Sequence, residues 1–192
     1  MRNKRILAAL GGVLLSAVGL SGQALAGGSV DVALTNESVR AEHGAVRVGT
    51  SAYLTAGGWY HLNNGLLGAV GFHAIDPNNQ RPELIAGLGG KLYAFNAKEL
   101  GSDVDAAIGL GGFARYHPAQ MNGFGGEAAA YYAPRVLAFS GLSQFVDAQI
   151  RLTYEVLPQG RVFFGYSYLF ADYEETVVDL DSSFAVGFRV RY

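Results

Sequence analysis

Ser182-Ser183-Phe184-Ala185-Val186-Gly187-Phe188-Arg189-Val190-Arg191-Tyr192 is the stretch that decides the fold. Phe184, Val186, Phe188, Val190 and Tyr192 alternate with Ser183, Ala185, Gly187, Arg189 and Arg191. A period of two marks a β-strand, whose successive side chains point to opposite faces. One face is wholly apolar and ends on an aromatic; the other carries two arginines among small residues. A soluble sheet buries the first face in a core, whereas a membrane barrel turns it to lipid and the second face to its lumen.

The same alternation recurs upstream. Leu84, Ala86, Leu88, Leu92 and Ala94 oppose Gly87, Gly89, Lys91 and Tyr93; Val104, Ala106, Ile108 and Leu110 oppose Asp105, Gly109 and Arg115. Phe124, Ala128, Ala130 and Tyr132 oppose Gly125, Glu127 and Tyr131, and the run from Val146 to Val156 sets Asp147, Gln149, Arg151, Thr153 and Glu155 on its polar face. Val162, Phe164, Tyr166, Tyr168 and Phe170 oppose Arg161, Gly165 and Ser167. Each run has about the length that a tilted strand needs to cross a bilayer. Fainter strands span residues 50–62 and 65–75, joined by the hairpin signal Asn64-Gly65. These make eight. Val30, Val32 and Leu34, a turn at Asn36-Glu37-Ser38 and a return over 39–46 bring the count to ten, which we favour; the alternative for residues 27–47 is an arm or a plug. Either even count puts both termini on one side.

The connections are expected to alternate in length. Leu157-Pro158-Gln159-Gly160, His117-Pro118-Ala119-Gln120 and Asp76-Pro77-Asn78-Asn79 read as compact turns on the side of the termini. Residues 96–103, 134–143 and 172–181 read as longer loops on the other side. The last holds five acids and is expected to be solvated, or to bind divalent cations that bridge lipopolysaccharide. Residues 134–142 are unusually apolar for a loop and are expected to dock on the rim, cap the lumen or meet a partner.

Composition narrows the choice. Arg2, Lys4 and Arg5, the apolar run from Ile6 to Leu20 and Ala24-Leu25-Ala26 read as a secretory signal over residues 1–26, so the domain proper is 27–192. An uncleaved membrane helix is the rival, but Ser21-Gly22-Gln23 leaves the apolar segment short. Removing three basic residues takes the net charge from -2 to -5, which gives no electrostatic case for nucleic acid. The chain has no cysteine, so no disulfide framework supports it. Half of its residues are hydrophobic, 27 are glycine and only 16% are charged, yet beyond the leader no stretch reads as a spanning helix. A closed barrel is the other structure that satisfies its backbone within lipid. A soluble sandwich or lipocalin-like barrel should carry far more charge on its polar face. The fold expected is therefore all-β, a small antiparallel transmembrane barrel of eight or ten strands.

Catalytic signals are sparse. Lys91, Asp105, Arg115, Glu127, Asp147, Arg151, Glu155 and Arg189 are expected to form a charge network in the lumen, with Arg161 and Arg191 beside it. Charges in a narrow interior must pair or be heavily penalised, so this network is expected to fill and stiffen the barrel; the alternative is a constriction selecting small solutes. His43, His61, His73 and His117 have no metal-ligand spacing, and no catalytic motif is readable, although a constellation assembled across strands, as around His61 at the rim, would leave none. Gly87-Leu88-Gly89-Gly90-Lys91 and Gly109-Leu110-Gly111-Gly112 lack the phosphate-loop spacing and lie within strands, where glycine gives clearance or curvature. Trp59, Tyr60, Tyr116, Tyr131, Tyr132, Tyr166, Tyr168 and Tyr192 are expected as interfacial girdles, with a carbohydrate-stacking platform as the alternative.

The ending itself resembles the terminal strand of bacterial outer-membrane barrels, which implies that Phe184, Val186, Phe188, Val190 and Tyr192 act as a C-terminal assembly signal. Val30-Asp31-Val32-Ala33-Leu34, Gly57-Gly58-Trp59-Tyr60-His61, Gly87-Leu88-Gly89-Gly90-Lys91-Leu92-Tyr93, Gly126-Glu127-Ala128-Ala129-Ala130-Tyr131-Tyr132-Ala133-Pro134 and Val162-Phe163-Phe164-Gly165-Tyr166, in that order, resemble the YfaZ family of outer-membrane proteins. The resemblance implies an outer-membrane barrel without an assigned reaction and carries over no catalytic residues. Where the family often has an Asp-rich hairpin after the Trp-containing strand, this chain has Asn63-Asn64-Gly65. The expectation is a barrel of the bacterial outer membrane with a structural or surface-interaction role. No cofactor, metal or nucleic acid is expected. Its partners would be membrane lipid and lipopolysaccharide, with the barrel-assembly machinery and periplasmic chaperones during biogenesis, and the chain would act as a monomer. A narrow solute channel and a lipid- or peptide-processing enzyme are the competing readings.

Overall fold

A computed structural model describes residues 25–47, 50–76, 81, 83–97, 104–173 and 177–192. Ten strands follow one another: β1 (Leu25–Leu34), β2 (Ser38–Arg47), β3 (Ala52–His61), β4 (Gly65–Ile75), β5 (Leu84–Ala97), β6 (Asp105–Tyr116), β7 (Phe124–Ala133), β8 (Leu142–Leu157), β9 (Gly160–Tyr173) and β10 (Val177–Arg191). Each pairs antiparallel with its neighbours in sequence, and β1 closes the ring against β10. Residues 27–47 are thus the first two staves of the barrel rather than an arm or a plug. The expected signal segment lies outside the described residues apart from Leu25 and Ala26, which open β1. Pairing of β1 with β2 becomes continuous only from Gly28, after a bulge, so the ladder does not depend on those two residues.

Side-chain parity decides what faces where. Phe72, Leu88, Leu110, Ile150, Phe164, Phe184 and Val186 are all more than half exposed on the outer wall, while Asp31, Lys91, Glu127, Asp147 and Arg189 are buried inside. This inverts the soluble β-barrel, in which the apolar face fills the core. The five residues of the expected assembly signal are all exposed on this outer wall. The glycine pairs of β5 and β6 serve the wall itself. Gly89 faces Gly111 in register. A Cβ at Gly89 would lie 2.0 Å from the Phe72 carbonyl oxygen, and one at Gly111 would lie 1.9 Å from that of Ala130. Neither position admits a side chain, because the tightly coiled strands bring neighbouring backbone too close.

The start of β1 and the end of β10 lie at one end, here the terminal end; the opposite end is the far end. The expected difference in loop length does not hold. The far end has short connections at 35–37, 62–64 and 174–176, and the terminal end has long ones at 76–83 and 117–123. Strand pairing consumes the acidic segment that read as a loop: Asp172 pairs with Val177, Asp179 with Phe170 and Asp181 with Leu169. A bulge between Asp179 and Asp181 switches parity there and turns Asp181 inward. Glu174 and Glu175 lie outside the described residues. The long connection at 134–141 folds back on the barrel. β7 pairs with β6 only from Leu110 onward, and the edge left open beside Ala107 is taken by Ala138, with Phe139 N–H donating to Ala106 at 2.9 Å. Val136 remains 82% exposed at its tip.

The seam between β1 and β10 is short. Strand pairs run from Ser29↔Arg191 to Leu34↔Val186, and next to them Gly28 and Tyr192 exchange backbone hydrogen bonds of 2.9 and 3.0 Å. Beyond Leu34, side chains from β2, β3 and the following turn reach β10 instead. Asn64 Nδ2 donates to the carbonyls of Asp179 (3.1 Å) and Leu180 (2.7 Å), and Trp59 Nε1 and Ser38 Oγ each donate to Asp181 at 2.8 Å.

Candidate functional site: the lumen

The lumen is divided along its length. At the terminal mouth Arg161 bonds Glu155 at 2.6 Å, with Arg191 at 3.7 Å. Above it lies the central knot. Arg189 bonds Asp31 at 2.7 Å, its in-register neighbour, and crosses the barrel to grip Glu127 through both terminal nitrogens. Arg115 and His117 approach the same Glu127 at 3.9 and 3.3 Å, and Arg151 approaches Asp31 at 3.8 Å. Next come Lys91 with Glu42 (2.5 Å) and His73 Nε2 with the Tyr131 hydroxyl (2.8 Å). Arg40 with Asp147 (2.6 Å), which also accepts from Tyr93 (3.0 Å), forms the last charged layer.

The far half is a packed apolar core. Leu67, Phe95, Leu142, Phe145, Leu169, Val178 and Leu180 are all buried there. Phe145 stacks on Phe95 and meets Tyr93 at a tilt, with ring centroids 5.3 and 4.7 Å apart. Asp105 sits in this half and accepts from the Tyr173 hydroxyl at 2.6 Å. The eight charges named from sequence therefore all face inward, but they do not form one network. Glu155 belongs to the mouth and Asp105 to the far core, while Lys91, Arg115, Glu127, Asp147, Arg151 and Arg189 share the middle. Sequence reasoning passed over Asp31, Arg40, Glu42 and Asp181. Their parity relative to Val30, Val39 and Ala41 was the available signal for the first three.

Two of the expected girdle aromatics are interior instead. Trp59 and Tyr131 are each 3% exposed and hydrogen-bonded inside, whereas their neighbours Tyr60 and Tyr132 face outward. Adjacent strand residues cannot share a face, so at most one of each pair could belong to a girdle. Tyr116, Tyr132, Tyr168 and Tyr192 are exposed on the outer wall.

The four histidines have separate partners. His43 bonds the Tyr192 hydroxyl at 2.6 Å, His73 lies buried against Tyr131, and His117 bonds Thr153 at 3.1 Å. His61 faces Ser38 in register at the far rim. Its Nδ1 accepts the backbone N–H of Asn63 and Asn64 at 3.2 and 3.1 Å, so the proton is on Nε2, 3.5 Å from Glu37. Ser38 Oγ meanwhile donates to Asp181. A general base must present its unprotonated nitrogen to the nucleophile, and here that nitrogen closes a turn. Among the described residues no group of His, Asp and Glu is arranged to hold a metal ion.

The charged half encloses a small cavity of about 20 Å³ lined by Glu42, Tyr53, Lys91, Arg115, Gln149 and Arg151, among others. One water needs roughly 10–15 Å³. The cavity therefore has room for about one small particle.

A search among curated proteins finds no match. A family model described as YfaZ precursor matches residues 3–190, almost the full length, and its name agrees with a chain made with a secretory leader. An all-β closed barrel with an apolar wall and a charged interior fits an outer-membrane barrel protein, and the chain belongs to the YfaZ family.

Proposed function

We propose that the protein is a monomeric barrel of the bacterial outer membrane that acts as a structural or surface-interaction element, without catalysis and without passing solutes. One observation carries this reading: the outer wall is apolar while the lumen is filled, by ion pairs in one half and by packed aromatic and aliphatic side chains in the other. Soluble monomers rarely leave an apolar patch beyond a few hundred Å² in water, and this wall surrounds the barrel. Lipid tails are its natural solvent. They would also fill the outward groove of about 980 Å³ over Ala86, Ala114, Ala128, Ala130 and Ala148. Lipopolysaccharide and, during biogenesis, the assembly machinery and periplasmic chaperones are the partners this location brings.

Membrane fractionation with heat-modifiable migration tests location and closure together. The expected result is recovery in the outer membrane as a band whose mobility changes on boiling; full recovery in the periplasmic fluid rejects the proposal. Planar-bilayer recording of the folded protein should give no current, and a steady conductance would establish the channel reading instead.

A further inference from the structure

We infer that the cavity in the charged half binds a single small monovalent anion, of the chloride class. Three guanidiniums, those of Arg115, Arg151 and Arg189, share two carboxylates, Asp31 and Glu127. Arg189 takes the close contacts to both acids. Arg115 and Arg151 are left at 3.9 and 3.8 Å, beyond good hydrogen-bond distance, and find neutral acceptors instead: Tyr53 Oη at 3.3 Å and Gln149 Oε1 at 2.7 Å. The remaining central charges pair off, Lys91 with Glu42 and Arg40 with Asp147. One positive charge is therefore in excess, and both loosely paired guanidiniums line the void.

An excess charge inside a closed barrel is expensive in low dielectric. Its partners cannot come from the far half, where Asp105 and Asp181 are engaged by Tyr173, Trp59 and Ser38. A mobile counter-ion restores neutrality. The cavity's size, about 20 Å³, matches a halide or a water. Its lining carries four cations, Lys91, Arg115, Arg151 and Arg189, against two carboxylates, Glu42 and Glu127, which Lys91 and Arg189 already bind; the Tyr53 hydroxyl accepts from Arg115 and keeps a proton to donate.

Bromide is the direct probe, because it scatters anomalously and replaces chloride. Crystals of the folded protein grown in sodium bromide should show an anomalous peak between the Arg115 and Arg151 guanidiniums. In the Arg151→Gln variant, which removes the excess charge, that peak should vanish. Unfolding of the wild type in micelles should shift to higher temperature in chloride or bromide relative to sulfate at equal ionic strength, and the variant should lose this difference. Density there without anomalous signal identifies a water and overturns the assignment, as does a peak that survives in Arg151→Gln or a midpoint indifferent to halide.

Discussion

Replacing Arg189 with methionine isolates the central knot. The substitution keeps the length and apolar stem of the side chain but strands Asp31 and Glu127, which are 5% and 8% exposed. Breaking one buried pair by removing a partner costs about 3–5 kcal/mol, because an uncompensated charge stays behind. Two acids are stranded here, yet Arg115, Arg151 and His117 already stand 3.3–3.9 Å away and can close on them. The expected loss is therefore near the lower limit, about 3 kcal/mol. With a urea dependence of roughly 2–3 kcal/mol per molar, the unfolding midpoint should fall by about 1–1.5 M. Trp59 is the sole tryptophan and is buried, so its fluorescence reports unfolding without a label. The triple variant Arg189→Met, Asp31→Leu, Glu127→Leu removes all three charges and should recover most of the loss. A single variant within about 0.5 kcal/mol of wild type, the scale of an ordinary surface change, would refute the claim that Arg189 organises the interior.

Neighbouring residues of β8 test the facing of the wall: Leu152→Arg, outward, should cost about 2–4 kcal/mol of folding free energy in lipid near the midplane. Thr153→Arg, inward beside His117, should instead fail through crowding and charge, and should be insensitive to bilayer thickness; equal thickness dependence in the two would show the parity to be wrong. Gly89→Val should abolish folding into micelles or reduce its yield severely, as read by the heat-modifiable band, since the side chain meets the Phe72 carbonyl. Trp59→Phe removes one of three donors to Asp181 and should lower stability by about 1–3 kcal/mol in circular-dichroism melts.

Alternation made the face of nearly every strand residue legible, because parity needs no knowledge of neighbours. Depth and azimuth were not legible. Arg189 was readable as inward, but its reach across the barrel to Glu127 depends on how the ring closes. The apolar far core was missed for a related reason. Phe95, Phe145 and Leu169 share inward parity with the charges, and a reading that equated apolar with outward had no place for them. Trp59 and Tyr131 were assigned by residue type where parity already argued otherwise. Asp181 went astray through the bulge, which shifts the count by one and leaves no mark in composition. The terminal parts of strands also looked like loops because polar residues there pair by backbone rather than by pattern.

The joint where the last stave meets the first bears on how the barrel is born and how it breathes. β10 is laced to β9 from Val177 to Val190, but to β1 only over six strand rungs and the adjoining Gly28–Tyr192 pair, which makes this seam a natural place for a lateral slit. The two ends of that slit are fastened differently. Near the termini, parting the edges would pull Asp31 from Arg189 and expose both to hydrocarbon. Near the other end, among the described residues, the indole, amide and hydroxyl of Trp59, Asn64 and Ser38 hold instead. A chain entering the bilayer C-terminus first would thus finish by snapping these side-chain clasps shut, and the zipper would start to part again from their end.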